Sequence, residues 1–269
     1  MNSEAIERAA LFDLHAAAPQ DLRDALGLHT VLVDGALVSM ASKLPQTAIV
    51  VNRALGFTRA QFEDEHLVSR LSATYRGAGI TRFFVQVTPD AMTGSLTRRI
   101  AHAGLEEARG WQKFSREPSP VDLPQTPFRV EEIGPDHGAD FAHIVCAGFD
   151  LGEIAEPWLA RLPGRDNWRV FMTFDGDTPA GAGAMYVENG VAWTDWGATA
   201  PAFRGRGSQG LLLAARIDRA HKLGCKSIHT CTGEAVPGDP QHSWNNIVRH
   251  GFAPDYVRAN YAPPKVPAE

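Results

Sequence analysis

Arg204-Gly205-Arg206-Gly207-Ser208-Gln209-Gly210 is the stretch whose residue types and spacing best fit a chemical task. Gly205 and Gly207 let the main chain approach a ligand with no Cβ in the way. The segment ends an alternating run and opens an amphipathic one. Its consecutive N–H groups therefore point outward at a helix N-terminus, where the dipole favours an anion. Arg204 and Arg206 add guanidinium groups suited to phosphate oxygens. The physical reading is a cradle for a diphosphate.

The elements around the cradle follow from periodicity. The pattern predicts helices over 5–15 and 20–28, a hairpin over 30–42 turning at Asp34-Gly35, and a strand over 48–57. A helix over 63–79, a strand over 82–89, a helix over 94–108 and a strand over 111–116 follow. Residues 117–127 carry four prolines and read as a linker. The second half starts over: a strand at 128–134, helices near 136–148 and 152–162, and three strands within 168–199. Asp175-Gly176 and Asn189-Gly190 mark tight hairpins between these strands. The cradle then opens a helix over 207–223, with Leu211, Leu212, Ile217, Ala220 and Leu223 as its buried stripe. Arg216, Arg219 and Lys222 read as its solvated face. A strand (226–232), a short helix (243–250) and a last strand (255–263) complete the chain. The two halves share nearly the same element order, which points to two copies of one fold, of which only the second has the cradle. The expected units are 1–120 and 127–269, in an α/β (α+β) chain.

Composition narrows the function classes. The chain has 269 residues, 44% hydrophobic and 21% charged, with net charge −5. That is a globular composition with no general pull toward nucleic acid or an anionic membrane. No run approaches a membrane span, and the histidines and three cysteines show no metal-ligand spacing. A reduced, cytoplasmic protein without a metal, monomeric or homodimeric, is the expectation.

Gly205-x-Gly207-x-x-Gly210 also matches the dinucleotide fingerprint, with Glu234 near the expected ribose acid. Two features oppose that reading. Only 35 residues follow Glu234, too few for a doubly wound sheet, and the strands before the turn are joined by antiparallel hairpins. A Walker loop is excluded, since no Gly-Lys-Ser/Thr occurs.

Thr199, Pro201, Phe203-Arg204-Gly205-Arg206-Gly207, Leu211-Leu212 and the later Gly251-Phe252 resemble the GNAT superfamily of acyl-CoA-dependent N-acetyltransferases. The element order of 128–262 agrees, and the motif match is confined to 197–210 and 243–252. Gln209 departs from the family's Gly/Ala at that place. By element order, residues 1–116 look like a degenerate second GNAT unit, so the whole resembles a tandem-GNAT protein.

The resemblance implies acetyl-CoA held by the amides of Gly205, Arg206, Gly207, Ser208, Gln209 and Gly210, with Arg204 and Arg206 as charge partners. It implies a splayed strand whose main chain, at Gly197 and Thr199, bonds the pantetheine arm, and a flanking helix carrying Ser243 and Asn246. The implied reaction is acetyl transfer to a primary amine by direct attack, with Glu234 or Asp195 as general base. Glu234 reads equally as a carboxylate capping the amides near Thr232 and Gly233, and Asp195 faces either an acceptor pocket or solvent. Many relatives place a tyrosine acid where this chain has Ile247. That departure keeps open a non-catalytic acyl-CoA-binding or regulatory protein.

Overall fold

The computed structural model describes residues 1–265; the final positions of the expected second unit, 266–269, lie outside them. The first half contains α1 (Ser3–Ala16), α2 (Gln20–Leu26), β1 (Leu28–Val33), β2 (Ala36–Ala41), β3 (Arg53–Leu55), α3 (Leu67–Gly77), β4 (Phe84–Val87), α4 (Gly94–His102) and β5 (Glu106–Arg116). The second contains β6 (Arg129–Glu132), α5 (Gly138–Gly148), α6 (Glu156–Leu159), β7 (Trp168–Asp175), β8 (Thr178–Glu188), β9 (Val191–Thr199), α7 (Ser208–Lys222), β10 (Ser227–Gly233), α8 (His242–Arg249) and β11 (Ala253–Ala262).

Local chemistry sets several boundaries. Asn2 and Thr93 cap α1 and α4 by accepting from Ala5 N and Leu96 N. Asn189 and Gly190 both have positive φ, 51° and 72°, the backbone of a two-residue hairpin whose twist matches its strands. Other expectations are corrected. The strand expected over 48–57 shortens to Arg53–Leu55, because Ala48–Asn52 forms turn hydrogen bonds such as Val51 N to Ala48 O. The helix expected to reach residue 108 stops at His102, and Glu106 already pairs with Ala262 in the sheet. The helix expected over 152–162 is one α-helical turn, α6, after a 3-10 turn at Glu153–Ala155. Leu223 is not part of the buried stripe of α7; it lies 36% exposed beyond the last turn.

All strands join one sheet in the order β1-β2-β3-β4-β11-β5-β10-β9-β8-β7-β6. Only β3/β4 and β9/β10 pair in parallel; the remaining neighbours are antiparallel. The order reveals a reciprocal exchange. β11, the last strand of the second half, lies between β4 and β5 of the first. β5, the last strand of the first half, lies between β10 and β11 of the second.

A shared core reinforces this join. Ile6, Leu11 and Leu14 of α1 pack in one cluster with Phe141, Trp158, Trp193 and Trp196 of the second half. Trp158 Nε1 donates to Leu14 O at 2.7 Å, and the Arg165 guanidinium forks onto the Asp13 carboxylate at 2.9–3.0 Å. The linker is packed too: Val121 rests against the cluster that contains Leu213, Ile247 and Phe252.

Candidate functional site

The glycine-arginine turn lies where α7 begins. Gly207 is left-handed, with φ 95°, and no side chain caps the helix. Among the described residues the amides of 205 to 210 find no acceptor in the protein; the first bonded N–H of the helix is that of Leu211, to Gly207 O. Such a run of free amides suits an anion, since each N–H carries partial positive charge and no protein acceptor neutralises it. Arg204 Nε donates to Thr199 O at 3.2 Å. Arg206 is more engaged than the sequence suggests: it pairs with Asp175 at 2.8 Å and lies 4.9 Å over the Phe128 ring. Ser208 turns its hydroxyl inward, 2.7 Å from Thr173 Oγ1, so only its amide faces the turn.

β9 and β10 pair only from Val191/Ser227 to Trp193/His229. Beyond that point β9 stays with β8 and β10 stays with β5, so the two strands part. β9 also bulges: Ala184 faces Asp195 whereas Ala182 faces Ala198, and Trp196 takes a positive φ of 55° at the extra residue. The parting leaves a cavity of about 460 Å³. On the α7 side it is walled by Gly197, Gln209, Leu213, Ser243, Asn246 and Ile247, and farther in by Phe149, Trp193, Asp195, Trp196, Thr230 and Cys231. Gln209 bonds Ala198 O and Thr199 Oγ1, at 2.6 and 3.0 Å, tying the helix to the free edge of β9.

Asp195 is half-buried, and its carboxylate accepts from Trp193 Nε1 at 3.0 Å and Trp196 N at 2.8 Å. Burial raises its pKa above the ordinary carboxylate value, outweighing those two hydrogen bonds and nearby Arg53. Arg216 corrects another expectation. Only 4% exposed, it is no solvated residue: it donates to Leu212 O, Ala184 O and Asp195 O, and desolvation lowers its pKa to about 10.

Of the two base candidates, only Asp195 reaches this cavity. Glu234 lies past the end of β10, where its Oε1 accepts from Gly110 N at 2.8 Å and its own N–H bonds Gly110 O. Its carboxylate fastens the middle of β5 and does not line the cavity. Ser243 and Asn246 do line it, as does Ile247. Cys231 is half-buried in its wall, and desolvation pushes the thiol up to about 12.

The sequence reading missed what the first half contributes. Glu7 of α1, Val50, Arg53 of β3 and Trp111 of β5 line the inner end of the same cavity. Glu7 accepts from Arg53, Lys113 and both terminal nitrogens of Arg258. Burial alone would raise its pKa, but the three cations hold it well below the ordinary value. Glu4 joins through Arg258 at 2.8 Å and Tyr256 at 2.7 Å. A signal for Glu7 existed: it falls in the stripe of Ile6, Ala10, Leu11 and Leu14, where an unpaired carboxylate would be costly.

Among the described residues no helix is long and apolar enough to cross a membrane, and no group of three or more His, Cys, Asp or Glu side chains is placed to hold a metal.

No family model matches the sequence, and no curated protein does. Solved structures do. A GCN5-related N-acetyltransferase from Kribbella flavida superposes with TM-score 0.64 at 12% identity, over 99% of this chain and 97% of its own. Another from Sphaerobacter thermophilus gives 0.60 at 15% identity, over 98% and 94%. A tandem GNAT protein from the clavulanic acid biosynthesis pathway gives 0.54 at 14% identity, over 96% and 94%. The described residues thus have the fold of the GCN5-related N-acetyltransferases in the tandem arrangement.

Proposed function

We propose that the chain is an N-acyltransferase that moves an acetyl group from acetyl-CoA to a primary amine. The observation that carries this reading is the run of free amides at 205–210, beside the gap between β9 and β10 and a cavity lined by the half-buried Asp195 carboxylate. The amides fit a pyrophosphate, and Gly197, Thr199, Ser243 and Asn246 would flank the arm that leads inward. Bound there, acetyl-CoA would supply an activated thioester. The likeness to GCN5-related N-acetyltransferases supports the same chemistry.

The chain's own residues supply the rest. Asp195, partly desolvated and with a raised pKa, is suited to take a proton from an ammonium group. The rings of Trp193, Trp196 and Phe149 line the inner cavity with apolar surface, which strengthens each charge interaction there. The two units, 1–120 and 127–269, would divide the work: the second binds the acyl donor, the first closes the acceptor end. The test is thiol release from acetyl-CoA across an amine panel, run beside calorimetric binding of acetyl-CoA. Binding with turnover on at least one amine supports the enzyme. Ile247, apolar on the cavity wall, favours the second reading, an acyl-CoA sensor; binding with no turnover on any amine would establish that instead.

A further inference from the structure

The inner end of the cavity carries an excess of buried positive charge. Five ionisable side chains meet there: Glu4 and Glu7 against Arg53, Lys113 and Arg258, two carboxylates against three cations. Asp195 and Arg216, at the middle of the cavity, add one charge of each sign and leave the excess unchanged. Glu7, Lys113 and Arg258 are at most 1% exposed, and Arg53 is 4%. Buried charge of one sign is costly unless an opposite charge completes it.

The excess has an address. Arg258 spends both terminal nitrogens on Glu4 and Glu7 and its unpartnered Nε is sealed from solvent, and Lys113 is held by Glu7 and by the Trp193 face, 4.2 Å from its nitrogen. Arg53 spends Nε on Val50 O and Nη1 on Glu7 and Gln86. Its Nη2 has no protein partner among the described residues and is not sealed from solvent, and Arg53 itself lines the cavity beside Trp111.

We propose that Arg53 is the anion subsite of the acceptor pocket, and that the acceptor is an amine that also carries a carboxylate. The substrate class rests on the acyl-transfer reading; the anion subsite does not. One free guanidinium nitrogen and a single surplus charge suit a monoanionic carboxylate better than a doubly charged phosphate. Trp111, Trp196 and Phe149 wall the space beside it, so the body between carboxylate and amine is apolar or aromatic. The same surplus charge lowers the pKa of a nearby amine and so favours its neutral, nucleophilic form.

Phenylacetate and phenylacetamide share one shape and differ in charge, and 2-phenylethylamine places a cation on the same benzyl group. Titrated calorimetrically into the whole chain, phenylacetate should bind about tenfold or more tighter than the other two. Arg53→Met should erase that preference. It should also fold, because Glu7 keeps Arg258 and Lys113. Glu7→Gln should change affinity in the opposite direction, tightening phenylacetate several-fold, an effect that misfolding cannot imitate. Equal or tighter binding of the amide or amine, no phenylacetate binding at millimolar concentration, or a preference that survives Arg53→Met would overturn the subsite. Acetyl-CoA is titrated into the same samples. If it fails to bind while phenylacetate binds through Arg53, acyl transfer falls and the anion site stands. If acetyl-CoA binds but phenylacetate shows no preference, only the subsite falls.

Discussion

Glu7 and Arg258, 251 residues apart, meet side by side: Arg258 Nη1 lies 2.6 Å from Glu7 Oε2 and Nη2 lies 2.9 Å from Oε1. The pair joins the first helix to the last strand, with both side chains buried. Such a pair contributes little net stability when intact, yet breaking it is expensive because a buried charge is left alone. Arg258→Leu should therefore destabilise the fold by about 3–5 kcal/mol in urea titration. A loss under 1 kcal/mol would show that water or Arg53 compensates.

Acid should weaken the fold in two stages. His15 is buried, bonded to Ser39 Oγ at 2.8 Å, and desolvation lowers its pKa from 6.5 to about 3. The unfolded chain takes up that proton below 6.5 and the folded chain does not, so stability falls from about pH 6.5 toward 3. Glu7, held below its ordinary 4.5 against burial by Arg258, Lys113 and Arg53, adds its loss below about pH 4.5. His15→Gln should flatten the first stage and leave the second, read as melting temperature against pH.

Gly207→Val should weaken acetyl-CoA binding by at least about tenfold, since a side chain at φ 95° strains the turn that presents the amides. The added Cβ would also lie 2.9 Å from Thr126 Cγ2 in the linker. Isothermal titration is the measurement, and unchanged affinity would remove the pyrophosphate assignment.

Asp195→Asn should lower kcat/KM by about a hundredfold or more while leaving acetyl-CoA affinity unchanged. In the native chain the acidic limb of kcat/KM should lie above the ordinary aspartate value of 3.8, because burial raises this carboxyl. Glu234→Gln keeps the acceptor for Gly110 N and should change kcat/KM less than about threefold. Equal losses in the two variants would contradict the choice of base.

Removing residues 1–126 should leave the second half unable to fold as a soluble monomer. β5 would be missing between β10 and β11, and both would present unpaired edges. Circular dichroism and gel filtration of the truncated chain check this; a folded monomer would mean that the strand order can rearrange.

What the sequence made legible was mostly local. Asn189-Gly190 announced its hairpin because two positive φ angles favour those residue types there, and the amides of 205–210 were readable because their glycines bear directly on backbone approach. Arg216 misled because its spacing on α7 fits a polar face, whereas its guanidinium bonds main-chain oxygens around the β9 bulge. Arg53 and Trp111 stayed hidden because nothing local says that β3 and β5 border a cavity opened by β9 and β10. β5 and β11 each alternate acceptably on their own, and no local pattern tells a strand which half it will pair with.

That exchange also sets an order of events during synthesis. Residues 253–262 supply the strand between β4 and β5, so the first half cannot complete its sheet when it leaves the ribosome. A tandem repeat would ordinarily mature one unit at a time. Here the gap waits until residues 253–262 have been made, and both halves close together in one step.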